Sequence, residues 1–94
     1  MRLNSLLFVP ADSARKFEKA QGAGASGLIL DLEDSVAAPA KDSARAELPG
    51  RIAAAQGPRD WALWVRINAL DTGMAEADLQ AAVHPGVDGI MLPR

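Results

Sequence analysis

Short apolar stretches alternate with longer segments of helical spacing, and no other feature of the sequence restricts the fold as strongly. The predicted strands lie at 6–9, 28–33, 61–68 and 89–92. The predicted helices lie between them at 14–21, 40–48 and 74–83. A β-α-β-α-β-α-β order with short connections favours parallel strands joined by right-handed helical crossovers. The predicted fold class is therefore α/β, with parallel βα units.

The bulk composition of the 94 residues excludes several classes of function. A hydrophobic content of 49% supplies the core of one small domain, and no linker or low-complexity segment indicates a second. The net charge is −2 and the basic residues are scattered, which argues against nucleic-acid and anionic-membrane partners. The first apolar run is too short for a signal sequence or a membrane span, so a cytoplasmic protein is expected. Cysteine is absent, which excludes thiolate chemistry, and the single histidine, His84, falls in a predicted loop.

The second predicted strand runs directly into three acidic residues. Because strand side chains alternate between two faces, its leucines should face the core, while Asp31 and Glu33 lie on the opposite face. Asp34 falls at or just beyond the end of the strand. Since α/β sheets and barrels carry their chemistry at the carboxyl ends of their strands, these acids predict a functional site. The alternative is an acidic loop that is merely solvated.

The third predicted strand ends in polar residues that should meet those acids. Its aliphatic residues share one face, whereas Trp64, Arg66 and Asn68 share the other. Arginine binds carboxylates bidentately, and clustered carboxylates attract a divalent cation through oxygen or through its bound waters. The sequence thus predicts a pocket for an anionic substrate and a metal ion. The alternative is a structural salt bridge from Arg66 to Glu33 or Asp34.

The helical segments give further expectations about ends and faces. Asp12 or Ser13 is expected to cap the first helix. The Pro49-Gly50 pair interrupts the second, which leaves one kinked helix and two short helices as alternatives. Four basic residues are expected to lie on solvated helix faces: Lys16, Lys19, Lys41 and Arg45. The alternative is that one of them contacts a phosphate group. The residues expected to form the buried stripe of the third helix are Ala75, Leu79, Ala82 and Val83.

Four segments of the chain carry a family likeness: SLLFVP at 5–10, LDLEDSV at 30–36, VRIN at 65–68 and GVDGIMLPR at 86–94. Together they resemble the citrate lyase β-subunit-like branch of the HpcH/HpaI aldolase family, and four ordered motifs are far more specific than one. The resemblance implies a (β/α)8 barrel of the phosphoenolpyruvate/pyruvate-binding superfamily. It also implies Mg²⁺-dependent cleavage or formation of a carbon–carbon bond in an acyl thioester.

The same resemblance implies roles for individual residues. Arg66 is expected to bind the carboxylate of the oxo-acid, with Asn68 beside it as a second substrate contact. Glu33 and Asp34 are expected to lie next to the water shell of Mg²⁺ and to orient that water, while Asp31 supports them from the same or an adjacent layer. The implied partners are an oxo-acid and an acyl thioester of coenzyme A or of an acyl-carrier protein. A homo-oligomer is also expected.

The sequence also departs from the family pattern. A complete barrel needs about 250 residues and eight strands, and the family's direct metal ligands, a glutamate and an aspartate on later strands, have no counterpart here. Residues 1–94 are therefore expected to form a single partial domain, the N-terminal half of a barrel, with little lyase activity alone. One alternative is a receiver-like domain in which the acids hold Mg²⁺ and an aspartate accepts a phosphoryl group. Another is a non-catalytic fragment that associates with a copy of itself.

Overall fold

The computed structural model describes residues 5–55, 61–69 and 72–93. Its elements are β1 (Leu6–Pro10), α1 (Ala14–Gln21), β2 (Gly27–Asp31), α2 (Lys41–Ala54), β3 (Ala62–Arg66), α3 (Ala75–Ala82) and β4 (Gly89–Met91). A 3-10 turn at Ala38–Ala40 leads into α2. Within these ranges the order of strands and helices is the predicted one. The sequence also predicts a break at Gly57-Pro58 after the second helix and a turn at Asp71-Thr72-Gly73, but Gly57, Pro58 and Asp71 lie outside the described residues.

The described strands form one parallel sheet in the order β1-β2-β3-β4. In such a sequential order each crossover leads to the immediate neighbour, as it does in a (β/α)8 barrel. A doubly wound receiver-like domain instead reverses direction at a switch point and has the order 2-1-3-4-5. The sheet order therefore favours the barrel interpretation over the receiver-like alternative.

One face of the sheet packs against the helices and forms the core. The predicted two-residue alternation is confirmed, because the alternate residues of both central strands and their extensions lie in this core: Leu28, Leu30, Leu32, Leu63, Val65 and Ile67. The helices contribute Phe17 from α1 and Leu48 and Ile52 from α2. Each large side chain buried in this way is worth about 1.5–3 kcal/mol of transfer free energy.

The opposite face of the sheet carries a row of larger side chains at one level. The strand register aligns Phe8 with Ile29, Ile29 with Trp64, and Trp64 with Gly89. Ile29 is fully buried, whereas Phe8 is 47% exposed. The indole of Trp64 lies so close over Gly89 that a Cβ atom there would overlap the ring. A residue without a side chain is therefore required at this point of β4.

The ends of α1 follow from their local sequence. Ser13 is the N-cap, since its Oγ accepts a hydrogen bond from the Lys16 backbone N–H at 3.2 Å. Of the two predicted caps, the structure thus selects Ser13 over Asp12. After the helix the chain turns at Gly24, whose φ of +81° is a conformation that favours glycine.

Helix α2 is continuous through Pro49, which decides between the two alternatives left open by the sequence. Proline removes one backbone hydrogen bond of the helix. The helix persists because Leu48 and Ile52, on either side of the proline, are fully buried against the sheet. Arg51 also anchors its second half, donating from Nε to the carbonyl oxygen of Ala11 at 2.7 Å. At 14 residues α2 is the longest helix described, and none of the described helices combines the length and apolar character needed to cross a membrane.

The predicted buried stripe of α3 is only partly correct. Ala75 and Ala82 are buried, but Leu79 is 36% and Val83 69% exposed. The buried face carries Asp78 instead, which is fully buried. The helix is rotated in this way because the hydrogen bonds of that carboxylate to neighbouring elements, described below, hold it against the sheet edge.

Candidate active site at the carboxyl ends of the strands

A buried ion pair joins the carboxyl ends of β2 and β3. The register places Asp31 directly beside Arg66. Arg66 Nε lies 2.8 Å from Asp31 Oδ1, and Nη2 lies 2.7 Å from Oδ2, which is a bidentate geometry. The Asp31 side chain is 0% and the Arg66 side chain 20% exposed. The alternative of a salt bridge from Arg66 to Glu33 or Asp34 is present in part, because Glu33 pairs with Arg66 at 3.5 Å. The bidentate partner, however, is Asp31, for which the sequence predicted only a supporting role.

Phe8 supports this pair from the neighbouring strand. The guanidinium carbon of Arg66 lies 4.5 Å from the centre of the Phe8 ring, which is a cation–π contact. The hydrogen bonds to Asp31 raise the pKa of Arg66 above its already high ordinary value. Arg66 is therefore a fixed, permanently charged group at the edge of the sheet.

Asp31 also organises the loop that follows β2. Its Oδ1 accepts the backbone N–H of Glu33 at 2.9 Å, and its Oδ2 accepts both the N–H and the hydroxyl of Ser35, at 2.9 and 2.6 Å. Burial alone would raise the pKa of Asp31, but the hydrogen bonds from Arg66, from Ser35 and from the backbone outweigh it and lower the pKa from 3.8 to about 2. The carboxylate thus remains charged and ties Arg66 to the acidic loop.

The two remaining acids lie on this loop at different distances from Arg66. Glu33 Oε1 is 3.5 Å from Arg66 Nε, and the Glu33 side chain is 31% exposed. Asp34 is exposed and forms no hydrogen bond or salt bridge within the described part of the chain, although its charge contributes to the raised pKa of Arg66. Among residues 5–55, 61–69 and 72–93, no three histidine, cysteine, aspartate or glutamate side chains are arranged to hold a metal ion.

Asn68 lies at the same edge but belongs to a separate network. Its side-chain amide donates to Asp78 Oδ2 at 2.8 Å, and its backbone N–H donates to the same oxygen at 2.9 Å. Arg45 completes the network, donating from Nε to Asp78 Oδ1 at 2.8 Å, and this bond raises the pKa of Arg45. The structure therefore brings Arg66, Asp31 and Glu33 together, whereas the amide of Asn68 is directed to Asp78.

The prediction of a solvated face for Lys41 and Arg45 is wrong. Lys41 Nζ donates to the carbonyl oxygen of Leu32 at 3.0 Å and to that of Glu33 at 2.5 Å. Arg45, one helical turn later, is committed to Asp78. Both cations are drawn from solvent because α2 passes close to the loop that follows β2 and to α3, which supply their acceptors. On α1, in contrast, Lys16 and Lys19 are exposed as predicted.

Two residues that the sequence did not single out, Asp78 and Ser35, and one that it assigned to a solvated helix face, Lys41, therefore shape the site. Asp78 carried a weak signal, because its spacing from Ala75 places it on the buried face of α3. Ser35, four residues after Asp31, lies where a polar side chain can close a turn on a preceding aspartate. The contacts of Lys41 could not be read from the sequence, since its partners are backbone oxygens that any residue would provide.

The family model of the HpcH/HpaI aldolase/citrate lyase family matches residues 4–94. The chain belongs to this family. It is 41% identical over 92 residues to the citrate lyase subunit beta of Escherichia coli, covering 96% of this chain and 30% of that protein. It is 38% identical over 90 residues to a (3S)-malyl-CoA thioesterase of Cereibacter sphaeroides, covering 96% of this chain and 31% of that protein.

Solved structures of a family member match the fold as well. Protein CitE from Mycobacterium tuberculosis, in complex with magnesium and pyruvate, superposes with a TM-score of 0.76 at 38% identity over 96% of this chain and 36% of its own. The same protein with magnesium, acetoacetate and coenzyme A gives a TM-score of 0.72 at 39% identity, over 96% of this chain and 32% of its own. These are barrels of the TIM type, which confirms the predicted fold class. The chain spans about a third of the length of the relatives it matches.

Proposed function

We propose that this chain contributes part of the active site of a Mg²⁺-dependent carbon–carbon lyase. The substrate would be a citryl- or malyl-type acyl thioester, cleaved to an oxo-acid and an acetyl-type thioester. Membership of the family supports this reaction class. The single observation that carries the proposal is the Arg66 guanidinium, which is held at the carboxyl edge of the sheet by Asp31.

Arg66 would bind the carboxylate of the oxo-acid portion. Asp31 occupies Nε and Nη2, while Nη1 makes no hydrogen bond within the described residues. The edge of the guanidinium that carries Nη1 therefore retains donors for a second carboxylate. Because Asp31 and Phe8 fix the plane of the group, little side-chain entropy is lost when the substrate binds.

Glu33 and Asp34 would lie beside the ion and accept hydrogen bonds from its water. A bound Mg²⁺ supplies a Lewis acid for the negative charge that develops on oxygen as the carbon–carbon bond breaks. The two carboxylates are on the loop held by Asp31, so their backbone position is fixed relative to Arg66. Magnesium in the solved relatives is consistent with this role.

The proposal is tested in a chimera, because the chain spans only about a third of its relatives. Residues 4–94 replace the matching segment of the E. coli citrate lyase subunit beta, and oxo-acid release is measured with Mg²⁺. The Arg66→Ala variant should lose at least about 100-fold in kcat/KM, since a charged bidentate contact is worth about 2.7 kcal/mol or more. The matched control is Arg15→Ala, which removes an exposed arginine of α1. An Arg66→Ala chimera with unchanged oxo-acid affinity would refute the assignment.

Residues 1–94 alone should have little or no lyase activity, because the acids described do not form a complete metal site. Efficient Mg²⁺-dependent cleavage by the purified chain contradicts this expectation. The alternative of a self-associating, non-catalytic chain is favoured by the exposed apolar residues of β1, which are Leu6, Leu7 and Phe8. Sedimentation velocity and a thermal melt of the 94-residue chain test this alternative. A monomer that unfolds cooperatively would count against self-association.

A second candidate activity is thioester hydrolysis. It is favoured by the similarity to the (3S)-malyl-CoA thioesterase, which is 38% identical over this segment. The products separate the two reactions: a lyase releases an oxo-acid and leaves the thioester bond intact, whereas a thioesterase releases a free thiol and a hydroxy acid. Both products are measured in the same chimera with malyl-coenzyme A as substrate.

A further inference from the structure

Lys41 is the first residue of α2, a position that is unfavourable for a cation. The amino end of a helix carries the positive end of the helix dipole, where acidic residues are stabilising and basic residues are not. When a residue has a charge that is unfavourable for its position in a helix, an interaction elsewhere in the structure usually compensates for the cost. Lys41 therefore calls for an explanation beyond helix formation.

The contacts of Lys41 supply that explanation. Its ammonium group donates to the carbonyl oxygens of Leu32 and Glu33, at 3.0 and 2.5 Å, nine and eight residues earlier in the chain. Within the described residues it forms no salt bridge. The charge is thus directed at the backbone of the acidic loop and not at the carboxylates of Glu33 and Asp34.

Lys41 and Asp31 bind complementary groups of the backbone of this loop. Asp31 accepts the N–H groups of Glu33 and Ser35, while Lys41 donates to the carbonyl groups of Leu32 and Glu33. These bonds engage two N–H groups and two carbonyl groups of the loop backbone and so restrict its conformation. The side chains of Glu33 and Asp34 remain free of these contacts and project from a fixed backbone.

We propose that Lys41 is a positioning residue, which fixes Glu33 and Asp34 relative to Arg66 by clamping the carbonyl groups at 32 and 33. The consequence for catalysis rests on the proposed lyase function. The clamp itself is independent of that function and can be measured in the 94-residue chain.

The test compares Lys41→Met, Lys41→Arg and, as a matched control, Lys19→Met, which removes an exposed lysine of α1. Amide hydrogen exchange is followed by NMR at Glu33 and Ser35, with the Val65 amide of β3 as the reference for global opening. Lys41→Met should accelerate exchange at both loop amides about tenfold, as expected for one charged hydrogen-bond donor lost. Val65 should be unaffected. Lys41→Arg should restore most of the protection, because its guanidinium also donates two hydrogen bonds, and Lys19→Met should change nothing.

Three results would overturn the proposal: unchanged exchange at Glu33 and Ser35, equal acceleration at Val65, or no restoration by arginine. In the chimera, Lys41→Met should lower kcat about tenfold while KM for the thioester stays within about twofold, because the substrate contacts of Arg66 are retained. Unchanged kcat in an active chimera would also count against it. If the unsubstituted chimera is inactive, the proposed lyase function fails, whereas the exchange data still decide the role of Lys41.

Discussion

Asp31→Asn should be the most damaging single substitution at the sheet edge. It removes the charge but keeps the shape, and it turns one oxygen into an amide donor that faces the donors of Arg66 and Ser35. A carboxyl whose pKa falls from 3.8 to about 2 on folding contributes about 2–3 kcal/mol at neutral pH, since a tenfold change in proton affinity is worth about 1.4 kcal/mol. We expect at least this loss in the free energy of unfolding at pH 7.

The dependence on pH has a definite sign. The folded protein binds the Asp31 proton more weakly than the unfolded chain does, so the contribution is fully present above about pH 5. It is lost as the pH falls from 4 towards 2. The asparagine side chain at position 31 has no proton to gain over this range. The difference in unfolding free energy between the two proteins should therefore shrink as the pH falls from 4 towards 2.

The assay is urea unfolding of both proteins at a series of pH values from 7 to 2. Ser35→Ala should cost about 1 kcal/mol, because it removes one of the hydrogen bonds to Asp31. Asp34→Asn is the control, since its side chain is exposed, and it should cost less than about 0.5 kcal/mol. A wild-type advantage over Asp31→Asn that is below 1 kcal/mol at pH 7, or that does not change with pH, would refute this argument.

Three further substitutions, two of them with a matched control, test the packing by the same unfolding measurement. Asp78→Asn removes a fully buried carboxylate that pairs with Arg45 and should cost about 3 kcal/mol, whereas Glu76→Gln on the exposed face of α3 should cost less than about 0.5 kcal/mol. Gly89→Ala forces a methyl group into the overlying indole of β3 and should cost about 1–3 kcal/mol, and a neutral result would mean that the ring is not seated there. Leu48→Ala should cost about 2–5 kcal/mol and Leu79→Ala less than about 1 kcal/mol; equal values would contradict the rotation described for α3.

The regular elements were predictable because their signals are local. The alternation of apolar residues in β2 and β3 identified the core face, and Ser13 was one of two predicted caps for α1. The meeting of Arg66 with the acids also followed from sequence, since parallel strands bring their carboxyl ends to one edge. These features depend on the two-residue alternation within strands and on the order of strands and helices, both of which can be read from the sequence.

The partners of individual polar groups were not predictable to the same extent. Lys41 and Asp78 have their partners 8 to 33 residues away in the chain, in the loop after β2 and on α2 respectively. No periodicity in the sequence encodes which residues meet over such separations. Asn68 was predicted correctly to lie at the carboxyl ends of the strands, but its amide donates to Asp78 of α3. The hydrophobic spacing of α3 had predicted a different buried face for this helix. The continuity of α2 through Pro49 likewise depended on tertiary packing, which outweighs the local cost of proline.

The sequential sheet has a consequence for the kinetics of folding. Each pair of neighbouring strands joins residues far apart in the chain: Leu6 pairs with Gly27, Gly27 with Ala62, and Trp64 with Gly89. Since all the described strands pair in parallel, none of these pairings is a hairpin, and each must close a loop of at least 21 residues before it gains any contact. Folding should therefore be slower than that of a helical bundle of equal length, by orders of magnitude. The two central strands, each needing a partner on both sides, should be the last to gain full protection.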